Sequence, residues 1–82
     1  MTPHVTEAQY LNNYTIKIRF ADGTGGIVDL KNELDGEIFK PLRDVNYFKN
    51  FTVNPELHTI TWPNGADIAP EFLYRAVQQQ AA

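Results

Sequence analysis

The chain has two histidines, no cysteine and no serine. Catalysis by a thiolate or a seryl hydroxyl is therefore excluded. A nucleophilic threonine would need an activating base in reach or an exposed N-terminal position. His58 follows Glu56 by two residues. Such a pair can move a proton or hold a metal, but an exposed turn histidine accounts for the same pattern. His4 lies in an N-terminal stretch expected to be mobile. Neither histidine belongs to an H-x₃-H type of ligand spacing. In DGTGGIVD, Asp22 and Asp29 stand seven apart, without the dense oxygen ligands of a calcium loop. GTGG lacks the Lys-Ser/Thr of a phosphate-binding loop, and a strand rather than a helix follows it. Asp35, Glu37, Asp44 and Asp67 fall at turns and caps, where short acidic side chains bond the backbone. No catalytic residue, metal site or cofactor is expected.

Binding residues are the remaining class. The formal net charge is −3 and the isoelectric point near 5.1. Phosphate contacts need clustered Lys and Arg, so direct nucleic-acid binding is not expected. Only Lys17 and Arg19 recur on one strand face. They read as a solvated surface, or as the contact of an accessory DNA-associated regulator that lays a β-ribbon in a groove. TWPNGADIAPEF, residues 61–72, groups Trp62, Asn64 and Asp67 before a helix that carries Tyr74. Trp62 is expected in the core as the largest apolar side chain. Partial exposure of Trp62 or Tyr74 would instead make an anchor for a protein partner. A small-ligand binder would need Tyr47, Trp62 and Tyr74 around one pocket.

These residues need elements to hold them. The 82 residues suffice for one domain and one small core, residues 1–82. In YTIKIRFADG, Tyr14, Ile16, Ile18 and Phe20 alternate with polar residues, which predicts a half-buried strand. HVTEAQYL before it is a weaker strand, turned by Asn12-Asn13. ADGTGG after it is turn chemistry, and IVDL a third strand with Val28 and Leu30 inward. Leu30 and Leu34 suit one helical turn stopped by Asp35-Gly36. Pro41 disfavours a helical Lys40. Asp44 caps a short helix that places Tyr47, Phe48 and Phe51 on the sheet. Phe51–Trp62 predicts a second hairpin turned at Asn54-Pro55-Glu56. Pro63 ends it, Asn64-Gly65 reverses the chain, and Asp67 bonds backbone N–H groups of the turn or helix start. Pro70 opens the last helix, with Phe72, Leu73, Ala76 and Val77 as its apolar stripe and a fraying QQQAA tail. The fold class is α+β: an antiparallel meander and hairpin, short central helices, and a C-terminal helix on one sheet face. MTPHVTEAQY has no basic-then-apolar leader pattern, and no apolar run is long enough to span a bilayer. A cytoplasmic location is expected, without membrane attachment.

In order and spacing, Phe20-x-Asp22-Gly23-Thr24, Val28-Asp29-Leu30, Phe39-x-Pro41-Leu42-Arg43-Asp44 and the run from Trp62 through Pro63, Asn64, Gly65, Asp67, Pro70 and Leu73 to Tyr74 resemble the bacterial DUF2442 family. The resemblance covers about residues 5–77. It implies a small α+β domain and carries over no catalytic residue. Some relatives add a helix-turn-helix domain, which would tie them to DNA. These 82 residues contain none, so direct DNA binding does not carry over. Many single-domain relatives are encoded beside a small DUF4160-type protein, a layout similar to toxin–antitoxin modules. The resemblance thus implies a small protein partner. A homodimer is also expected, since a small core gains from burying more apolar surface.

Overall fold

The computed structural model describes residues 2–80, with the side chain of Gln80 left out. Strands β1 (Val5–Asn12), β2 (Thr15–Phe20) and β3 (Gly25–Asp29) form an antiparallel sheet in the order β1-β2-β3. The alternation in β2 sets its two faces. Ile16, Ile18 and Phe20 are buried, while Lys17 and Arg19 are exposed. Cross-strand pairing carries the same division outward: Ile16 opposes Tyr10 and Val28, and Lys17 opposes Gln9 and Ile27. Two register shifts in β1 bend it at its ends.

The first turn lies one residue later than expected. Asn12 pairs with Thr15, and Asn13 takes the positive φ of 47°. Asparagine tolerates left-handed backbone, and Thr15 Oγ1, donating to the Asn12 carbonyl at 2.7 Å, holds Asn12 in the strand pairing. Gly25 and Gly26 also depart from expectation. They belong to β3, not to the preceding turn, where Asp22 accepts the Thr24 N–H at 2.9 Å and Gly23 has φ +91°. The physical reason for Gly26 comes from the far end of the chain: a Cβ there would stand 3.0 Å from Val77 Cγ1.

A 3₁₀ turn at Lys31–Glu33 replaces the helical turn expected between Leu30 and Leu34. A second 3₁₀ segment, Glu37–Arg43, contains Pro41, which was expected to interrupt helical backbone. Its successive turns close through Phe39 N–H to the Gly36 carbonyl and Asp44 N–H to the Pro41 carbonyl. Neither bond asks for the N–H that proline lacks. Asp44 then caps α1 (Val45–Phe48) by accepting the Asn46 N–H at 3.0 Å. Strands β4 (Thr52–Asn54) and β5 (Thr59–Thr61) form the second hairpin. Asn54 Oδ1 accepts the N–H groups of Glu56 and Leu57, which tightens the turn around Pro55.

Helix α2 (Pro70–Gln80) starts at the proline, as Pro at the first helical position should. Leu73 and Val77 are its buried residues and Ala76 is half-buried. Phe72 was expected in that stripe, but it is exposed and lines an open hollow with Asp29, Glu33 and Arg75. The helix continues through Gln78–Gln80, so that part of the tail does not fray; Ala81 and Ala82 lie outside the described residues. One core joins all of this. At one end of β2, Tyr74 of α2 meets Phe20 edge-on at 4.9 Å; toward the other, Phe48 of α1 meets Tyr14 at 5.2 Å. The architecture is α+β.

Candidate functional site

The connector between β5 and α2 is a clamp. Trp62 is only 3% exposed, and its Nε1–H donates to the Phe48 carbonyl at 2.7 Å. A buried tryptophan with its one donor satisfied has nothing left to offer a partner. The expectation that Trp62 could anchor one is therefore corrected. Asn64 works on both of its ends: Nδ2 donates to the Ile38 carbonyl at 2.8 Å, and Oδ1 accepts the Ala66 N–H at 3.0 Å. It ties the connector to the Glu37–Arg43 segment. Gly65 reverses the chain at φ +88°. Asp67 is exposed and pairs through its backbone with Thr61. Among the described residues its carboxylate accepts no backbone N–H; Asn64 fills the role expected of it.

Tyr74 does not join Trp62. Its hydroxyl donates to Asp22 Oδ2 at 2.6 Å and lies 3.4 Å from Thr24 Oγ1. Asp22 is 52 positions away, in the β2–β3 turn. The Tyr74 hydroxyl first, then Thr24, holds the Asp22 carboxyl below its usual value of 3.8. Tyr74 also borders an open hollow of about 300 Å³ with Pro3, His4 and Ala21. Tyr47 and Trp62 do not line it, so it is not the three-ring pocket that a small-ligand binder would need.

A folded pKa below the unfolded one stabilises the chain at pH above the unfolded value. That contribution disappears as pH falls through the folded value. Tyr74→Phe is therefore expected to destabilise the protein at neutral pH, and the gap to wild type should narrow as pH falls below the usual carboxylate range. Urea unfolding at neutral and at acid pH checks this. An equal gap at both would mean that the Tyr74 hydroxyl contributes independently of the Asp22 charge, because phenylalanine keeps the ring that packs on Phe20.

The two histidines lie near opposite ends of the first 58 residues, with nothing along the chain to join them. The structure stacks their rings, with centroids 3.8 Å apart and planes 6° from parallel. His58 holds a positive φ of 58°, and its carbonyl accepts the Val5 N–H at 2.9 Å. The His4 carbonyl in turn accepts the Ala21 N–H. The segment expected to be mobile is thus fastened at His4. No signal in the sequence joins residues so far apart. Stacked rings hold their in-plane lone pairs parallel, which does not converge on a metal. No cluster of three or more His, Cys, Asp or Glu occurs among the described residues.

The outer face of the meander remains open. Lys17 and Arg19 project from it between Glu7 and Gln9 of β1 and Gly25 and Ile27 of β3. Together they line an open concavity of about 690 Å³. Arg19 Nε lies 3.5 Å from Glu7 Oε2, an exposed pair of small energetic value that nonetheless halves the free positive charge. Ile27 is 46% exposed there, the face's one large apolar residue in β2 or β3. No helix among the described residues is long and apolar enough to cross a membrane.

A family model described as a protein of unknown function, DUF2442, matches residues 5–79, nearly the whole chain. No curated protein and no solved structure matches it.

Proposed function

The chain belongs to the DUF2442 family, and from that premise we propose that it is a protein-interaction module of the cytoplasm. One observation carries the reading. The outer face of β1-β2-β3 is a formed, open surface in which a rigid sheet displays Gln9, Lys17, Arg19 and Ile27. Side chains on a paired central strand are held in register at little entropic cost, which favours recognition. The net charge of −3 favours a basic partner and speeds its encounter. In the reading drawn from the resemblance, that partner is a small DUF4160-type neighbour, and this chain is the neutralising, antitoxin-like half of the pair.

The test is co-purification of the tagged chain from its native cells, with mass spectrometry of the eluate. One small basic protein in stoichiometric amount is expected, and Gln9→Arg, which sets a like charge on the docking face, should diminish its recovery. Elution of the chain alone would overturn the reading. Lys17 and Arg19 also support a second reading, an accessory DNA-associated regulator. Glu7 beside Arg19 weighs against it. Retention of duplex DNA at low salt, lost in Lys17→Glu, would favour it over the first.

A further inference from the structure

The β3 edge of the sheet is self-complementary. Only β2 pairs with β3 among the described residues. The Leu30 N–H donates to the Tyr14 carbonyl at 2.9 Å and the Phe20 N–H to the Thr24 carbonyl at 2.7 Å. Both pairs continue the β2–β3 register, and hydrogen-bonded pairs alternate along an antiparallel ladder. The bonded residues of β3 are therefore Gly26 and Val28. Gly25, Ile27 and Asp29 turn their N–H and C=O groups away from β2, toward solvent.

We infer that this edge is the seam of a homodimer, in which β3 pairs antiparallel with β3 of a second copy about a two-fold axis at Ile27. In that register Ile27 opposes the second copy's Ile27, and Gly25 opposes its Asp29. All three outward-facing residues then fall at hydrogen-bonded positions, and none is left over. A strand whose outward groups sat asymmetrically about its centre could not do this with itself. An isologous contact requires the same patch on both chains to be its own complement.

The side chains point to the same occupant. Ile27, 46% exposed, would cover its own copy. Arg19 stands beside Gly25 on the outer face, and Asp29 lies two residues along β3 from Ile27 on that face. Across the seam, Arg19 of one chain and Asp29 of the other flank Gly25, which has no side chain to separate them. Strand spacing puts them about 10 Å apart at the backbone, within reach of a long side chain leaning over glycine. Each chain thus offers a cation where the other offers an anion. Phe72, 37% exposed beside Glu33 and Arg75 next to this edge, gains cover on the opposite face. An uncovered strand edge with an exposed isoleucine is otherwise a site of uncontrolled pairing. The inference is independent of the partner reading. Pairing at β3 leaves Gln9 and Lys17 of each outer face open and joins the two faces into one.

The test is sedimentation equilibrium of the purified full chain, so its outcome does not depend on any partner. The mass is expected to rise from 9.3 kDa toward twice that value as concentration reaches about 100 μM, the weak regime of a small interface. Ile27→Lys places like charges opposite each other and should weaken association at least ten-fold. Ile27→Pro removes an outward N–H that β2 does not use, and should do the same without disturbing the chain's own ladder. Circular dichroism verifies the fold of both. Amide exchange at Ile27 and Asp29 should slow with protein concentration, a readout that needs no variant. A monomer at about 300 μM, concentration-independent exchange at Ile27, or a dimer that both variants leave intact would each overturn the seam. Slowed exchange only on adding another protein would assign the edge to a different strand.

Discussion

Phe48→Ala is expected to cost about 3–5 kcal/mol of stability, the range for emptying a fully buried phenylalanine site. Phe48 has 0% exposure. Its ring centroid lies 5.2 Å from Tyr14, 5.8 Å from Trp62, 6.3 Å from Tyr10 and 6.4 Å from Phe51. Those rings belong to β1, its turn and the second hairpin, so Phe48 is where the meander and the hairpin meet. The site is poorly able to collapse. Asp44 caps α1 at one end, and the Phe48 carbonyl is bonded to Trp62 Nε1. A chain of this size has a total stability of roughly 4–12 kcal/mol. The variant therefore stands at the edge of unfolding. Urea denaturation measures the loss, and near-ultraviolet circular dichroism should report the freed Trp62. A cost below about 1 kcal/mol would mean that Phe48 is not the joint between the two sheets. Phe51→Ala is the control: half-buried at the cluster's rim, it should cost less.

Gly26→Val should destabilise by about 1–3 kcal/mol through overpacking, although valine is the better strand former. The Cβ alone would stand 3.0 Å from Val77 Cγ1. Val77 is 2% exposed in α2 and cannot swing clear, because a β-branched side chain in a helix has one strongly preferred rotamer. The strain should be relieved by shortening the partner. Val77→Ala in the Gly26→Val background should recover part of the loss, with a coupling of about 1 kcal/mol or more in the double-mutant cycle. Additive effects would show that α2 does not rest on β3 at this point. This contact explains the glycine at 26, whereas a Cβ at Gly25 would stand 3.2 Å from the Ile18 carbonyl oxygen. Gly26 admits the helix on the inner face, and Gly25 leaves the outer face bare beside Arg19.

The sequence by itself determined the elements whose cause is local. Period-two alternation from Tyr14 to Phe20 made a half-buried strand wherever its neighbours lay. Asp44 capped α1, Asn54-Pro55 turned the second hairpin, and Pro70 opened α2, because each effect acts within a few residues along the chain. The motifs from Phe20 to the Trp62–Tyr74 run, taken together in order and spacing, carry the family resemblance along the chain. Tertiary structure decided what depends on approach through space. Gly25 and Gly26 look like a turn until Val77 lies against one of them. Pro41 looks like an interruption until both of its turns close without its N–H. Asp67 was expected to make the connector's hydrogen bonds, and Asn64, brought between the Ile38 carbonyl and the Ala66 N–H, makes them instead. Tyr74 lies in the same motif run as Trp62, yet it is held by Asp22 from the far end of the meander. His4 and His58 stack only because the first strand runs beside the second hairpin. Lys17 and Arg19 were legible as one face of a strand, but the pairing of β2 on both sides made that face a surface and left β3 as its open edge. Hydrophobic period and capping are short-range and can be read along a chain; packing, hydrogen bonds between distant residues and unpaired edges exist only once the chain has closed on itself.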